Sequence, residues 1–209
     1  MENLEWDHDP YNHLNQNIDQ ENVQKAIKEI LLSIGEDPDR EGLRETPKRV
    51  ARAYRELLAG YTMNPVEFLN GALFDLQYDE MVIVRDIEFY SLCEHHMLPF
   101  LGRAHIAYLP KNRIIGLSKI PRIVDMFARR LQIQERMTTQ IADLLSEVLQ
   151  PKGVAVVVEA LHLCSMMRGV KKHEARMTTS SMKGAFRVNL ATRQEFLDNI
   201  SRGATPLKI

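Results

Sequence analysis

Two short stretches hold both cysteines of the chain and three of its seven histidines: Ser91-Leu92-Cys93-Glu94-His95-His96 and Leu161-His162-Leu163-Cys164. Thiolate and imidazole are the ligands zinc prefers, and Cys-x-x-His is a spacing that one tight turn can wrap around a metal. Cys164 is remote in sequence, so only a folded chain brings a third ligand to Cys93 and His96. Five residues are therefore candidates for one site: Cys93, His95, His96, His162 and Cys164. A structural zinc site closes with four protein ligands, whereas a catalytic one keeps three and leaves a place for water. Spacing alone leaves both readings open. A Cys93–Cys164 disulfide is disfavoured, because nothing marks the chain for an oxidising compartment.

The elements that must position these residues follow from periodicity. The apolar run Val154 to Leu163 reads as a buried strand, which would put His162 and Cys164 on one face. Met81 to Tyr90 reads as another strand, with Cys93 near the end of its extension and a turn needed before His96. Leu98-Pro99-Phe100-Leu101-Gly102 is expected to turn the chain into a strand from about Arg103 to Leu109. Ser118 is a plausible N-cap for a helix reaching about Arg130, and a longer helix should span Gln134 to Gln150. Further strands are expected around Arg176–Ser181 and Phe186–Leu190, then a terminal helix from Thr192. The order ββααββ predicts an α+β domain, an antiparallel sheet with helices on one face. A small open sheet has two free edges, which self-association could cover.

Upstream, Asp19 is a plausible cap for a helix carrying Val23, Ala26, Ile27, Ile30 and Leu31 at helical spacing, ended by Gly35. Thr46-Pro47 opens a second helix, with Val50, Ala53, Tyr54, Leu57 and Leu58 as its apolar stripe. These boundaries divide the chain into an arm over 1–18, a helical region over 19–79 and the site-bearing domain over 80–209. His8 and His13, in the arm, read as surface residues. With 209 residues and a net charge of −1, the chain is long enough to bury a core and too neutral for a general nucleic-acid coat. Its acidic start is unlike a signal peptide, and no apolar run reaches membrane-spanning length, so a cytoplasmic protein is expected. Local basic clusters remain on both sides of the cysteines: Lys111, Arg113, Lys119, Arg122, and Arg168, Lys171, Lys172.

Several motifs occur in a specific order: Glu45-Thr46-Pro47-Lys48-Arg49-Val50-Ala51, Cys93-Glu94-His95-His96 with Leu98-Pro99-Phe100 and Gly102, Ile115-Gly116-Leu117-Ser118-Lys119, Gln134-Glu135-Arg136, His162-Leu163-Cys164 and Met167-Arg168-Gly169. From about Asp19 to its end, the chain closely resembles GTP cyclohydrolase I. The resemblance implies a tunnelling fold whose subunits join sheet to sheet into a ring, a homodecamer with active sites between subunits. It implies conversion of GTP and water to 7,8-dihydroneopterin triphosphate and formate, the first step toward folate and related pterins.

It also assigns roles. Cys93, His96 and Cys164 match the family's zinc ligands, one Zn2+ per subunit. His95 and His162 match its proton-transfer residues, and an imidazole titrating near neutrality suits that work. Glu135 matches the guanine reader, one carboxylate accepting from N1–H and the exocyclic amine, with Gln134 assisting. Leu117, Ser118, Lys119, Arg122 and Arg168 match substrate contacts, chiefly to triphosphate and ribose. Arg49 and Arg52 match positions that reach the phosphates from a neighbouring subunit.

Overall fold

The computed structural model of the protein describes residues 18–69 and 71–202. Apart from Ile18, the expected arm with His8 and His13 lies outside the described residues. Helix α1 (Gln20–Ser33) begins where expected: the Asp19 carboxylate accepts from the backbone N–H groups of Glu21 and Asn22. It stops before Gly35, whose φ of 84° suits a residue without Cβ. Helix α2 (Thr46–Leu57) starts one residue earlier than predicted. Thr46 is already helical, and its hydroxyl bonds back to the Gly42 carbonyl rather than capping.

The predicted apolar stripes of α1 and α2 are only partly covered. Only Leu31 and Ala51 are buried, while Ile30 and Ile34 are 53% and 68% exposed. Within one chain these helices pack mainly on each other, joined by a Gln20 Nε2 to Ala51 carbonyl bond of 3.0 Å. That contact half-buries Val23, Ile27, Val50 and Tyr54 and leaves Ala26, Ile30, Ala53 and Leu57 exposed.

A 3-10 turn over Ala59–Thr62 and α3 (Pro65–Leu69) lead into β1 (Leu73–Asp75), β2 (Val82–Cys93), β3 (Pro99–Leu109), β4 (Arg113–Ile115), α4 (Lys119–Ala128), β5 (Leu131–Gln132) and α5 (Gln134–Leu149). Then come β6 (Gly153–His162), α6 (Leu163–Met166), β7 (Met177–Gly184), α7 (Ala185–Val188) and α8 (Leu190–Ser201). The main sheet has the order β5-β2-β3-β6-β7; β1 and β4 form a separate small pair. Strands β2, β3, β6 and β7 are antiparallel neighbours, so the ββααββ order is present. The two-residue β5 adds in parallel beside β2 and was not foreseen.

The larger core lies between the sheet and α4 and α5. Phe89, Ala104, Ile106, Val156 and Val158 meet Ile123, Phe127, Ile141 and Leu145 there. Burying each such large apolar side chain is worth about 1.5–3 kcal/mol, which makes this layer the main source of stability. Alternate residues point the other way, where Ala107, Ala155 and Val157 pack with Phe186 and Phe196. The expectation of helices on one face is therefore corrected, because α7 and α8 cover part of the second face. Strand β6, buried on both faces, accordingly reads as a continuous apolar run rather than an alternating one.

Two local expectations also change. Phe186–Leu190 is not a strand. Gly184, at φ 56°, ends β7, and Asn189 caps α8 by accepting from the N–H groups of Ala191 and Thr192. Phe186 is apolar because it anchors the second core, not because it continues the sheet. The turn predicted over Leu98–Gly102 falls earlier, and β3 already begins at Pro99. Among the described residues no helix is long and apolar enough to cross a membrane.

Candidate metal centre and active site

Strand β2 delivers Cys93 to the top of the sheet, and the chain reverses at once. The Cys93 carbonyl accepts from the N–H groups of His96 (3.3 Å) and Met97 (2.7 Å), and Cys93 N–H donates to the Leu98 carbonyl at 2.9 Å. Met97 takes a left-handed φ of 53° to close the turn. The result swings both imidazoles back, with Nδ1 of His95 and of His96 each 3.9 Å from Cys93 Sγ.

The third candidate ligand, Cys164, arrives differently from the sequence expectation. Strand β6 ends at His162, and Cys164 sits in the single helical turn α6, so strand alternation does not relate the two side chains. That helical turn buries Cys164 against the sheet. The ligand atoms of Cys93, His96 and Cys164 lie within 4.8 Å of one another. Among the described residues this group has three members, and His95 and His162 stand outside it.

The donor set fits a borderline-soft cation. Cys93 and Cys164 are free, buried thiols, and burial followed by the neighbouring Cys93 pushes the Cys164 thiol up. Two adjacent thiols in such a place lose their protons only if a positive charge compensates them, as zinc does. Arg168 supplies part of that charge. Its guanidinium donates to the Cys164 carbonyl at 3.3 Å, and its Nη2 lies 3.1 Å from His96 Nε2.

His162 is held on two sides. Phe100, its register partner across β3 and β6, stacks on the ring with centroids 4.6 Å apart. His162 Nε2 lies 2.9 Å from Gln134 Oε1. The Gln134 amide nitrogen faces the carbonyls of Val158 and Met177 and the Thr179 hydroxyl, so its oxygen must accept. The neutral His162 ring therefore carries its proton on Nε2 and presents a bare Nδ1. Burial lowers its pKa, while the Glu135 charge opposes that shift.

Gln134 was expected to assist in base recognition. Its side chain is 1% exposed and committed to β6, β7 and His162, which makes it a support for the histidine. Glu135 lies exposed in the first turn of α5, near enough to His162 for its charge to act there. Leu117, Ser118 and Arg122 are exposed at the start of α4, with Lys119 half-buried among them. The Ser118 side chain makes no capping bond, contrary to expectation, because the residue itself is already in a helical conformation. Arg49 and Arg52 are exposed on α2, and no contact among the described residues ties them to Cys93, His96 or Cys164.

Glu94, Phe100 and Arg136 lie inside the sequence motifs, which by themselves assign them no role. Glu94, between the candidate ligands Cys93 and His96, is the available signal, since a carboxylate there needs a partner. Its partner is Arg136.

A sequence model of the family described as GTP cyclohydrolase I matches residues 23–201. The GTP cyclohydrolase 1 of Gloeobacter violaceus is 58% identical over 183 residues, covering 88% of this chain and 86% of its own. A protein named GTP cyclohydrolase 1 1 from Pseudomonas aeruginosa is 61% identical over 180 residues, covering 86% and 97%. The GTP cyclohydrolase 1 of Leptospira biflexa is 57% identical over 182 residues, covering 87% and 100%.

Proposed function

The chain belongs to the GTP cyclohydrolase I family, and we propose that it hydrolyses and rearranges GTP to 7,8-dihydroneopterin triphosphate and formate. This is the first step of pterin and folate biosynthesis. The observation that carries the reading is the convergence of Cys93, His96 and Cys164 within 4.8 Å, with His162 two residues before Cys164 and held by Gln134. Cys93, His96 and Cys164 would hold one zinc ion. When bound, zinc supplies Lewis-acid activation of water near neutral pH.

The remaining work falls to side chains. His162, neutral because it is partly buried, takes up a proton at Nδ1, and the Glu135 charge stabilises the imidazolium that results. His95, exposed beside Cys93, is the group available to protonate purine N7, which makes C8 more electrophilic. Glu135 accepts from guanine N1–H and the exocyclic amine, a pattern adenine cannot supply. Ser118, Lys119, Arg122 and Arg168, with Leu117 at the edge, form the triphosphate and ribose subsite, where charge-assisted bonds are strongest.

The division into a helical region over 19–79 and a catalytic tunnelling-fold domain over 80–209 fits this scheme. The uncovered apolar residues of α1 and the open edge of β7 support assembly into a ring, with a decamer as the expected size. In that assembly Arg49 and Arg52 serve the site of a neighbouring subunit.

The test is GTP turnover with metal-replete and chelator-stripped protein, quantifying formate and the fluorescent oxidised pterin. Equal amounts of both, lost with the metal and restored by zinc, are expected. Zinc binding without either product would overturn the reading. Light scattering on the eluting protein tests the ring, and a monomer would sink it.

A further inference from the structure

We propose that Glu94 and Arg136 form a positioning pair that fixes the metal-binding turn against the helix end carrying the guanine reader. The proposal rests on the functional reading above. Glu94 sits inside the turn between Cys93 and His96, and Arg136 sits one residue after Glu135 in the first turn of α5. An Arg136 Nη2 donates to a Glu94 carboxylate oxygen, and both side chains are partly buried. The same guanidinium donates through Nε to Gln132 Oε1 at 3.0 Å and through Nη2 to the Leu131 carbonyl at 3.3 Å.

The anchor is stiff. Gln132 is buried, and its amide nitrogen donates to the Phe127 carbonyl at 3.0 Å and to Gln140 Oε1 at 2.9 Å. Backbone bonds run in parallel with the ion pair: Glu94 N–H donates to the Gln132 carbonyl, and Cys93 pairs with Gln132 across β2 and β5. A cation in the first turn of a helix opposes the dipole, and Ile133 gives α5 no side-chain cap. Glu94 offsets that positive charge from another element. Removing it leaves an unfavourably placed arginine and a loosened ligand turn together.

Two halves of one reaction meet across this pair. Cys93 and His96 set where the metal lies, and Glu135 sets where the purine lies. A displacement of about 1 Å between them is enough to cost on the order of 100-fold in rate. Partners outside the ligand set typically change metal affinity or activity by about 10–100-fold.

The experiment is a double-mutant cycle with Glu94→Gln and Arg136→Gln, reading zinc affinity by competition with a chromogenic chelator, kcat and KM for GTP, and thermal unfolding. Each single variant is expected to weaken zinc binding and lower kcat about 10–100-fold, and the double variant to lose no more than either single one. Losses that add, or zinc affinity and kcat unchanged while only the melting temperature falls, would overturn the pairing. Should Arg136→Gln fail to fold, Glu94→Gln alone decides, through zinc affinity and kcat. If the wild-type protein binds zinc but does not turn over GTP, the functional reading falls by itself. The zinc titration still decides the pair.

Discussion

Phe100 lies flat on His162, the ring planes within 2° of one another and the centroids 4.6 Å apart. The stacking comes from strand register, since the two residues are direct partners across β3 and β6. Together with Gln134 Oε1 it leaves the imidazole one edge to use, the one bearing Nδ1.

That edge is expected to move protons rather than bind metal. His162→Ala should retain zinc at one ion per chain and lose turnover by about 10²–10⁴-fold, the usual range for a general acid–base group. His95→Ala should behave in the same way. Metal content by atomic emission beside GTP turnover checks both, and loss of zinc in either variant would make that histidine a ligand.

Glu135→Gln keeps the shape of the proposed guanine reader and removes its charge. Bonds to a charged acceptor contribute roughly 1.5–3 kcal/mol, so kcat/KM for GTP should drop about 10- to 100-fold. Preference for GTP over inosine triphosphate, which lacks the exocyclic amine, should narrow at the same time. Unaltered GTP kinetics would remove Glu135 from the base site.

His105 predicts a pH effect on stability rather than on chemistry. It is buried, with Nδ1 accepting from the Asp86 N–H at 3.2 Å, where Asp86 adopts φ 59° in a bulge of β2. Burial lowers its pKa most; Asp86 and Glu159 pull it up, and Arg103 and Arg85 push it down. The folded value therefore lies below the unfolded value of about 6.5. Between the two the unfolded chain binds more protons, so the stability from neutral His105 is complete above about pH 6.5 and declines as pH falls toward the folded pKa. Urea unfolding at pH 7.5 and 5.5 should show a smaller acid loss for His105→Gln than for the wild type. An equal loss would refute the assignment.

Gly102 allows β3 to approach β6 next to the stacked pair. A Cβ there would overlap the Glu159 carbonyl oxygen and the Ala160 backbone. Gly102→Ala should cost about 1–3 kcal/mol in urea denaturation through overpacking. It should also reduce turnover by shifting Phe100 against His162. A variant as stable as the wild type would mean that the two strands can part there without penalty.

Much of the site was legible because its chemistry is carried by uncommon residue types. A chain with two cysteines offers few ways to build a thiolate site, and Cys93-x-x-His96 needs only a local turn. The ββααββ order was legible too, since strands and helices have different apolar periods. Asp19 announced α1 because a cap acts within three residues. Asn189 carried the same signal for α8, but the apolar run from Phe186 hid it.

Sequence by itself thus determined the ligand candidates, the order of the main elements and the family, all of which depend on residue identity and short-range spacing. Tertiary structure alone decided how Cys164 reaches Cys93, because the exit from β6 into a helical turn depends on packing against the sheet. It turned Gln134 into a support for His162, since that amide finds its partners on β6 and β7, 24 to 45 residues away. It also joined Glu94 to Arg136 across a separation of 42 residues. Contacts of that range are set by sheet register and helix docking, which no local pattern encodes.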